Sequence, residues 1–330
     1  MHVFELARRL IEIESITENE KRVAFFLKEY LSGLKYDVSL QEAAPDRFNV
    51  TAFAGKPDLV FTSHIDTVPP YIPFREDEEY IYGRGACDAK GIVAAQIHAA
   101  ERLRAQGETR LGMLFVVGEE RNSVGALAAN RTPPGSGFFI DGEPTENRLA
   151  VGSKGSLRAE IVTRGKAAHS AYPQAGESAI LKLLDLLQEV RAMELPRDAV
   201  LGETTCNIGI LEGGTKPNII PDRARAEIMF RSVEPIDRLK ARLEAVIHGR
   251  AEIRYPFEVP PVMMNVAEGF ETTVVAFTSD VPFLTQWGKA YMMGPGSILD
   301  AHTDHERISK KQLLEGIDLY VRLARTLLHG

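Results

Sequence analysis

Four apolar runs, each of strand length, end in a histidine, a carboxylate or a glycine turn. They are LVFTSHID (59–66), MLFVVGEE (113–120), FFIDGEP (138–144) and AYMMGPG (290–296), and His302 follows the last on a loop. Helical patterns lie between and after them, over 91–106, around 122–130 and over 309–328. Strands alternating with helices predict an α/β domain built on a mostly parallel sheet with helices on both faces. Open sheets of this kind bind ligands beyond the carboxyl ends of their strands. His64, Asp66, Glu119, Glu120, Asp141 and Glu143 would all be delivered to that one edge, joined by Asp88 from the loop GRGACDAKG (83–91). Any one such cluster is commonly just a solvated loop. Four at equivalent positions call for a shared cause.

At about 150 residues per domain, 330 residues suggest two domains, and the second is visible from near Gly152. Strand-like 156–164 is followed by a helix over 176–193, strands over 204–211 and 223–231, a helix over 235–247 and a strand over 251–255. This β-α-β-β-α-β order is the ferredoxin-like split βαβ arrangement. The Pro-rich stretch 256–261 leads back to α/β pattern. The expected plan is a discontinuous catalytic domain, 1–152 and 263–330, interrupted by an inserted α+β domain, 153–262. Upstream, Thr17-Glu18-Asn19-Glu20 has the form of a capping box for a helix ending near Leu31–Gly33.

Charge and cysteine content exclude several classes of function. Lys and Arg total 39 against 46 Asp and Glu, a formal net charge of -7, which argues against a nucleic-acid binder. Two cysteines, Cys87 and Cys206, form no disulfide framework, and a reducing compartment suits them. No apolar run approaches the roughly 18 residues of a membrane span. The first residues alternate Val3, Leu6, Ala7, Leu10 and Ile11 with charges, as an amphipathic helix does and a secretory leader does not. The expected location is the cytoplasm.

Histidines and carboxylates without a cysteine cluster suit a hydrolytic zinc-type centre. The set exceeds what one tetrahedral ion needs and is enough for two, about 3.5–4 Å apart, with one carboxylate bridging. A spare carboxylate beside them could act as general base. Residue types alone leave open which carboxylate does which.

His64-Ile65-Asp66-Thr67-Val68-Pro69 together with Gly83–Gly91, Gly118-Glu119-Glu120, Gly142-Glu143-Pro144-Thr145 and Gly294-Pro295-Gly296…Ala301-His302 resemble, in order, the zinc-dependent aminoacylase and acetylornithine deacetylase family. That family also includes succinyl-diaminopimelate desuccinylase and carboxypeptidase G. The resemblance implies that His64 and Glu143 hold one metal, Glu120 and His302 the other, and Asp88 bridges them. The metals would be two divalent ions, zinc first, with cobalt or manganese as the other candidates. Glu119 would deprotonate the shared water, and Asp66 would orient His64 from behind. It further implies a cis peptide after Asp88. His302 is preferred to His305, and Glu143 to Asp141, because the family spacing selects them. Cys87 and His98 are read as packing residues.

In the inserted domain, Gly165–Ser170 resembles the segment whose histidine reaches the partner's active site in dimeric relatives. His169 would thus donate to the developing oxyanion, and the chain would be a homodimer through this domain. Asn218 and Arg231 resemble residues that grip a substrate carboxylate, and Gly294 and Gly296 would line the same pocket. Asn207-Ile208-Gly209 and Gly213–Asn218 look closest to deacetylases of N-acetylornithine or N-acetylcitrulline. The expected substrate is therefore a small N-acyl amino acid, in arginine biosynthesis. The alternative is a dipeptidase, carboxypeptidase or succinyl-diaminopimelate desuccinylase on the same centre. Two features depart from the family pattern: Gly118 replaces the usual acidic residue, and 262–290 is unusually short.

Overall fold

Leu59–His64 and Leu111–Val116 are buried at every position, and Phe138–Asp141 at all but its first. Strands this apolar need cover on both faces, which parallel sheets flanked by helices provide. In a computed structural model describing all 330 residues, they form the middle of a six-stranded sheet. Its spatial order is Asp37–Ala44, Arg47–Phe53, Leu111–Val116, Leu59–His64, Phe138–Asp141 and Lys289–Met292. The last four are mutually parallel, whereas the first two form an antiparallel hairpin at one edge. The sheet is mostly parallel, as expected, and the edge hairpin makes it mixed. Asp37–Ala44 has no fully buried residue and no apolar run, so nothing in its sequence announces a strand.

The helix Lys90–Ala105 is almost entirely buried along its first half, and Val3–Glu12 and Lys310–His329 pack against it. The helix Lys21–Gly33 forms where expected, but the capping box does not. Glu20 is fully buried and binds Arg47 through both oxygens (3.0 and 2.5 Å), while Thr17 turns its hydroxyl to Asp66 Oδ2 at 2.9 Å. Arg47 is itself buried, and a buried guanidinium without its carboxylate costs several kcal/mol, more than a helix cap contributes.

The chain divides into two compact units, one of Met1–Val151, Met264–Thr273 and Ser279–Gly330, the other of Gly152–Met263 and Val274–Thr278. The short return segment 274–278 groups with the second unit, where Lys154 N–H donates to the Val275 carbonyl (3.1 Å). That unit is a four-stranded antiparallel sheet in the order Thr205–Gly213, Arg223–Ser232, Gly155–Arg164, Glu252–Val259. Alternate residues such as Leu157, Ala159 and Ile161, and Ile228 and Phe230, form one buried face under the helices Ala179–Ala192 and Ile236–Ile247. No helix is long and apolar enough to cross a membrane.

Candidate metal centre

His64 is the last residue of its strand and fully buried, so the turn immediately after it aims its ring. Its Nδ1 lies 3.0 Å from the Asp66 carbonyl and 3.6 Å from the Asp66 carboxylate. With Nδ1–H donating there, Nε2 is the atom left to face outward, and it sits 2.9 Å from Asp88 Oδ1. Asp66 therefore orients His64 mainly through its backbone. Its carboxylate does a different job, accepting from the amides of Glu119 (3.1 Å) and Glu120 (3.3 Å) and from Thr17. The Glu pair is thus fastened to the turn that follows His64.

Asp88 lies on the loop before Lys90–Ala105, with a cis peptide to Ala89. Its second oxygen is 3.2 Å from His302 Nε2, which is also 3.1 Å from Glu120. Two ligand groups result. His64, Asp88 and Glu143 converge within 4.8 Å, and so do Asp88, Glu120 and His302. Asp88 belongs to both. Glu119 belongs to neither, although it adjoins Glu120. Neither His305 nor Asp141 belongs to either group, although His302 is exposed as His305 is. Burial first, and then Asp280, pushes the Asp141 carboxyl up to about 7.

The donor set fits divalent cations. It offers imidazole and carboxylate with no thiolate, and it crowds four carboxylates into a mostly buried space. Burial pushes Glu119 and Glu143 well up and Glu120 up, with neighbouring carboxylates adding to each shift. Asp88 is held down despite its burial, by hydrogen bonds from His302 and His64. Hydrogen bonds to Asp88 and Glu120 push His302 up to about 10. Burial opposes the charge on His64, but its contacts with Asp66 and Asp88 outweigh that and push it well up. Such a cluster is balanced by bound cations, which replace the protons.

The model of Peptidase family M20/M25/M40 matches residues 60–326. The chain belongs to that family. Members of this family are hydrolases acting on amide bonds. A peptidase M20 domain-containing protein of Schizosaccharomyces pombe is 40% identical, over 98% of this chain and 84% of its own. A probable carboxypeptidase of Aspergillus flavus is 38% identical, over 96% and 88%. A tripeptidase from Staphylococcus aureus superposes with a TM-score of 0.82 at 25% identity, covering 97% of this chain and 96% of that one. The mixed α/β fold is accordingly that of an M20 peptidase, while closeness to acetylornithine deacetylases in particular finds no support among these relatives.

Other residues of this M20 peptidase fall into place around the centre. Gly118 stands at φ +82°, and a Cβ there would come 2.7 Å from the Arg47 guanidinium. Any side chain there would also crowd Val124 and strain the left-handed backbone, which glycine adopts freely. The resemblance puts Gly294 and Gly296 in the substrate pocket, but their amides already donate to Thr145 Oγ1 (3.0 Å) and Gln312 Oε1 (3.1 Å). Their carbonyls accept from the amides of Thr145, Glu146 and Asn147, so they brace the turn after Glu143. Cys87 is buried, with burial pushing its thiol well up, and His98 is a packing residue whose Nε2 has no partner.

Within the second unit, His169 and Asn218 lie side by side. Ser170 N–H donates to the Asn218 carbonyl (3.0 Å), and Ile220 N–H to the Ala168 carbonyl (2.9 Å). Ala171 N–H donates to His169 Nδ1 at 3.2 Å, which leaves the exposed ring's proton on Nε2. Arg231 is half-buried in its strand, between Thr205 and Ser156 on the neighbouring strands. Two supporting residues escape the sequence reading: Thr17, which has the spelling of a capping box but holds Asp66, and Glu306, four residues beyond His302, which carries no motif.

Proposed function

We propose that this M20 peptidase is a two-metal exopeptidase of carboxypeptidase or dipeptidase type, cleaving the amide next to a free carboxylate in a short peptide. One observation carries the reading: two ligand groups share Asp88, and Glu119 stands beside them without belonging to either. Relatives named carboxypeptidase and tripeptidase favour a peptide over an acetylated amino acid. Deacetylation of N-acetylornithine or N-acetylcitrulline stays as a second reading, on the strength of the Gly213–Asn218 segment.

His64, Asp88 and Glu143 would hold one ion, and Asp88, Glu120 and His302 the other, with zinc as the first candidate. When bound, two such ions polarise a carbonyl and acidify water. Glu119 takes the proton of the attacking water on its carboxylate and later delivers it to the leaving nitrogen. Glu119 lies outside both ligand groups, which leaves its carboxylate available for both steps. Asp66 keeps Glu119 in place through the backbone amide. Arg231 and Asn218 would bind the substrate carboxylate, Arg231 through its planar fork. His169 Nε2–H would donate to the carbonyl oxygen from a partner subunit.

A homodimer through the second unit is part of this reading. The edge strand Thr205–Gly213 exposes Ile210 and Leu211, and the helix Ala179–Ala192 exposes Leu181 and Leu184. An unpaired apolar edge of this kind is a natural pairing surface. Mixing inactive His169→Ala and Glu119→Ala subunits should restore part of the activity; a verified mixed dimer without activity removes the role in trans.

A substrate panel tests the chemistry. Zinc- or cobalt-loaded protein should hydrolyse dipeptides and tripeptides with free carboxylates faster than N-acetylornithine, N-acetylcitrulline or succinyl-diaminopimelate. Turnover confined to the acetylated compounds selects the second reading, and no turnover of any compound overturns both.

A further inference from the structure

Glu306 is 1% exposed and sits at the junction of the two loops that carry Asp88 and His302. The strand Arg307–Ser309 that follows it pairs with Tyr80–Tyr82, and its own carbonyl accepts from Gly83 N–H at 3.1 Å. Its carboxylate then reaches along the next loop. Oε1 accepts from the amides of both Cys87 and Asp88, each at 3.2 Å. Oε2 meets Arg84 Nη1 at 2.7 Å, and Arg84, also buried, donates from Nε to the Pro70 carbonyl at 3.1 Å.

A buried ion pair is weak evidence of a stabilising role, since apolar residues of equal volume often hold a fold as well. An apolar pair, however, cannot accept two consecutive amides. Those amides belong to the residue that carries the shared carboxylate and to the residue before it. Asp88 must present Oδ1 to His64 (2.9 Å) and Oδ2 to His302 (3.2 Å), so a small rotation of its backbone would spoil both contacts.

We propose that Glu306 is a positioning residue of the metal centre: by gripping the amides of Cys87 and Asp88, it aims the Asp88 carboxylate between the two ligand groups. Arg84 holds the Glu306 carboxylate in place. The same residue fixes the far end of the His302 loop, so one side chain sets the spacing of ligands from both loops. This rests on the reading of Asp88 as a ligand shared by two metals.

The test is a zinc titration of the metal-free protein against a chromophoric chelator, for wild type, Glu306→Leu, Arg84→Lys and His302→Ala, with thermal unfolding of each metal-free form. Wild type should bind two zinc ions. Glu306→Leu, which removes the oxygen that accepts both amides, should weaken both stepwise constants by about 10–100-fold, the usual cost of losing a group that orients a ligand. Arg84→Lys, which leaves the amide acceptor in place, should weaken them less than Glu306→Leu does. His302→Ala should weaken one step only. Should Glu306→Leu fail to fold, Glu306→Asp is read in its place, because its shorter side chain keeps the charge but draws it back from the amides. Unchanged zinc constants in the folded Glu306 variant, whatever its melting temperature, overturn the proposal, as does loss confined to one step. Fewer than two zinc ions on wild type overturns the shared-ligand reading itself.

Discussion

Glu119→Gln separates proton transfer from metal binding. Glu119 lies outside both ligand groups, and its position is set by a backbone contact, Glu119 N–H to Asp66 Oδ1 at 3.1 Å, which the substitution leaves untouched. The amide has nearly the shape of the carboxyl but cannot accept the proton of water. Metal content should therefore stay at the wild-type value, and KM should change little. Loss of a positioned general base costs about 10²–10⁴-fold in rate, so kcat should fall by that factor, equivalent to about 3–5 kcal/mol in the barrier. Asp88→Asn serves as the contrast, since Asp88 belongs to both groups and its loss should empty the centre. The assay is elemental analysis of the purified variants beside steady-state hydrolysis of a dipeptide. A fully metallated Glu119→Gln within about tenfold of wild-type kcat would show that the proton goes elsewhere. Loss of metal from the same variant would place Glu119 among the ligands and refute the geometry.

Three other outcomes can be checked. Arg231→Met should raise KM for peptides with a free carboxylate by about 10–100-fold while sparing metal content, the loss expected for hydrogen bonds to a charged group. Chelation should lower the melting temperature and added zinc restore it: at free zinc about 100 times Kd the gain is about 2.7 kcal/mol, or about 5–10 °C for a domain of this size. His98 gives a pH effect far from the centre. Burial, with smaller contributions from the amino terminus and His2, pushes its pKa from 6.5 down to about 4. The unfolded state then binds the extra proton first, so the stability His98 contributes is present above pH 6.5 and is lost as pH falls toward 4. Denaturant unfolding at about pH 7.5 and pH 5 should show a smaller difference in His98→Leu than in wild type; an equal difference assigns the acid sensitivity to other groups.

The sequence alone determined whatever depends on local pattern. Strand ends bearing His64, Glu119, Glu120 and Glu143 show which edge of the sheet carries chemistry, because a buried parallel strand is apolar until it leaves the core. The β-α-β-β-α-β order of the second unit is legible for the same reason, as alternation with period two and helices with period 3.6 are properties of short windows. Tertiary structure decided everything that joins distant segments. The hairpin strand Asp37–Ala44 is half exposed and takes its conformation from pairing with Arg47–Phe53, so its own residues carry no signal. Thr17 and Glu20 have the spelling of a capping box, yet buried Arg47 and the loop at Asp66 claim both side chains. Gly294 and Gly296 have amides that could meet a ligand, but Thr145 and Gln312 already occupy them. Asp141 and Glu143 are told apart in the sequence only by the family resemblance, and the fold gives the physical reason by bringing Glu143 to His64 and Asp88. Glu306 is one acidic residue among 46 Asp and Glu in the chain. Its place against Cys87 and Asp88, more than 200 positions away, exists only because Arg307–Ser309 pairs with Tyr80–Tyr82.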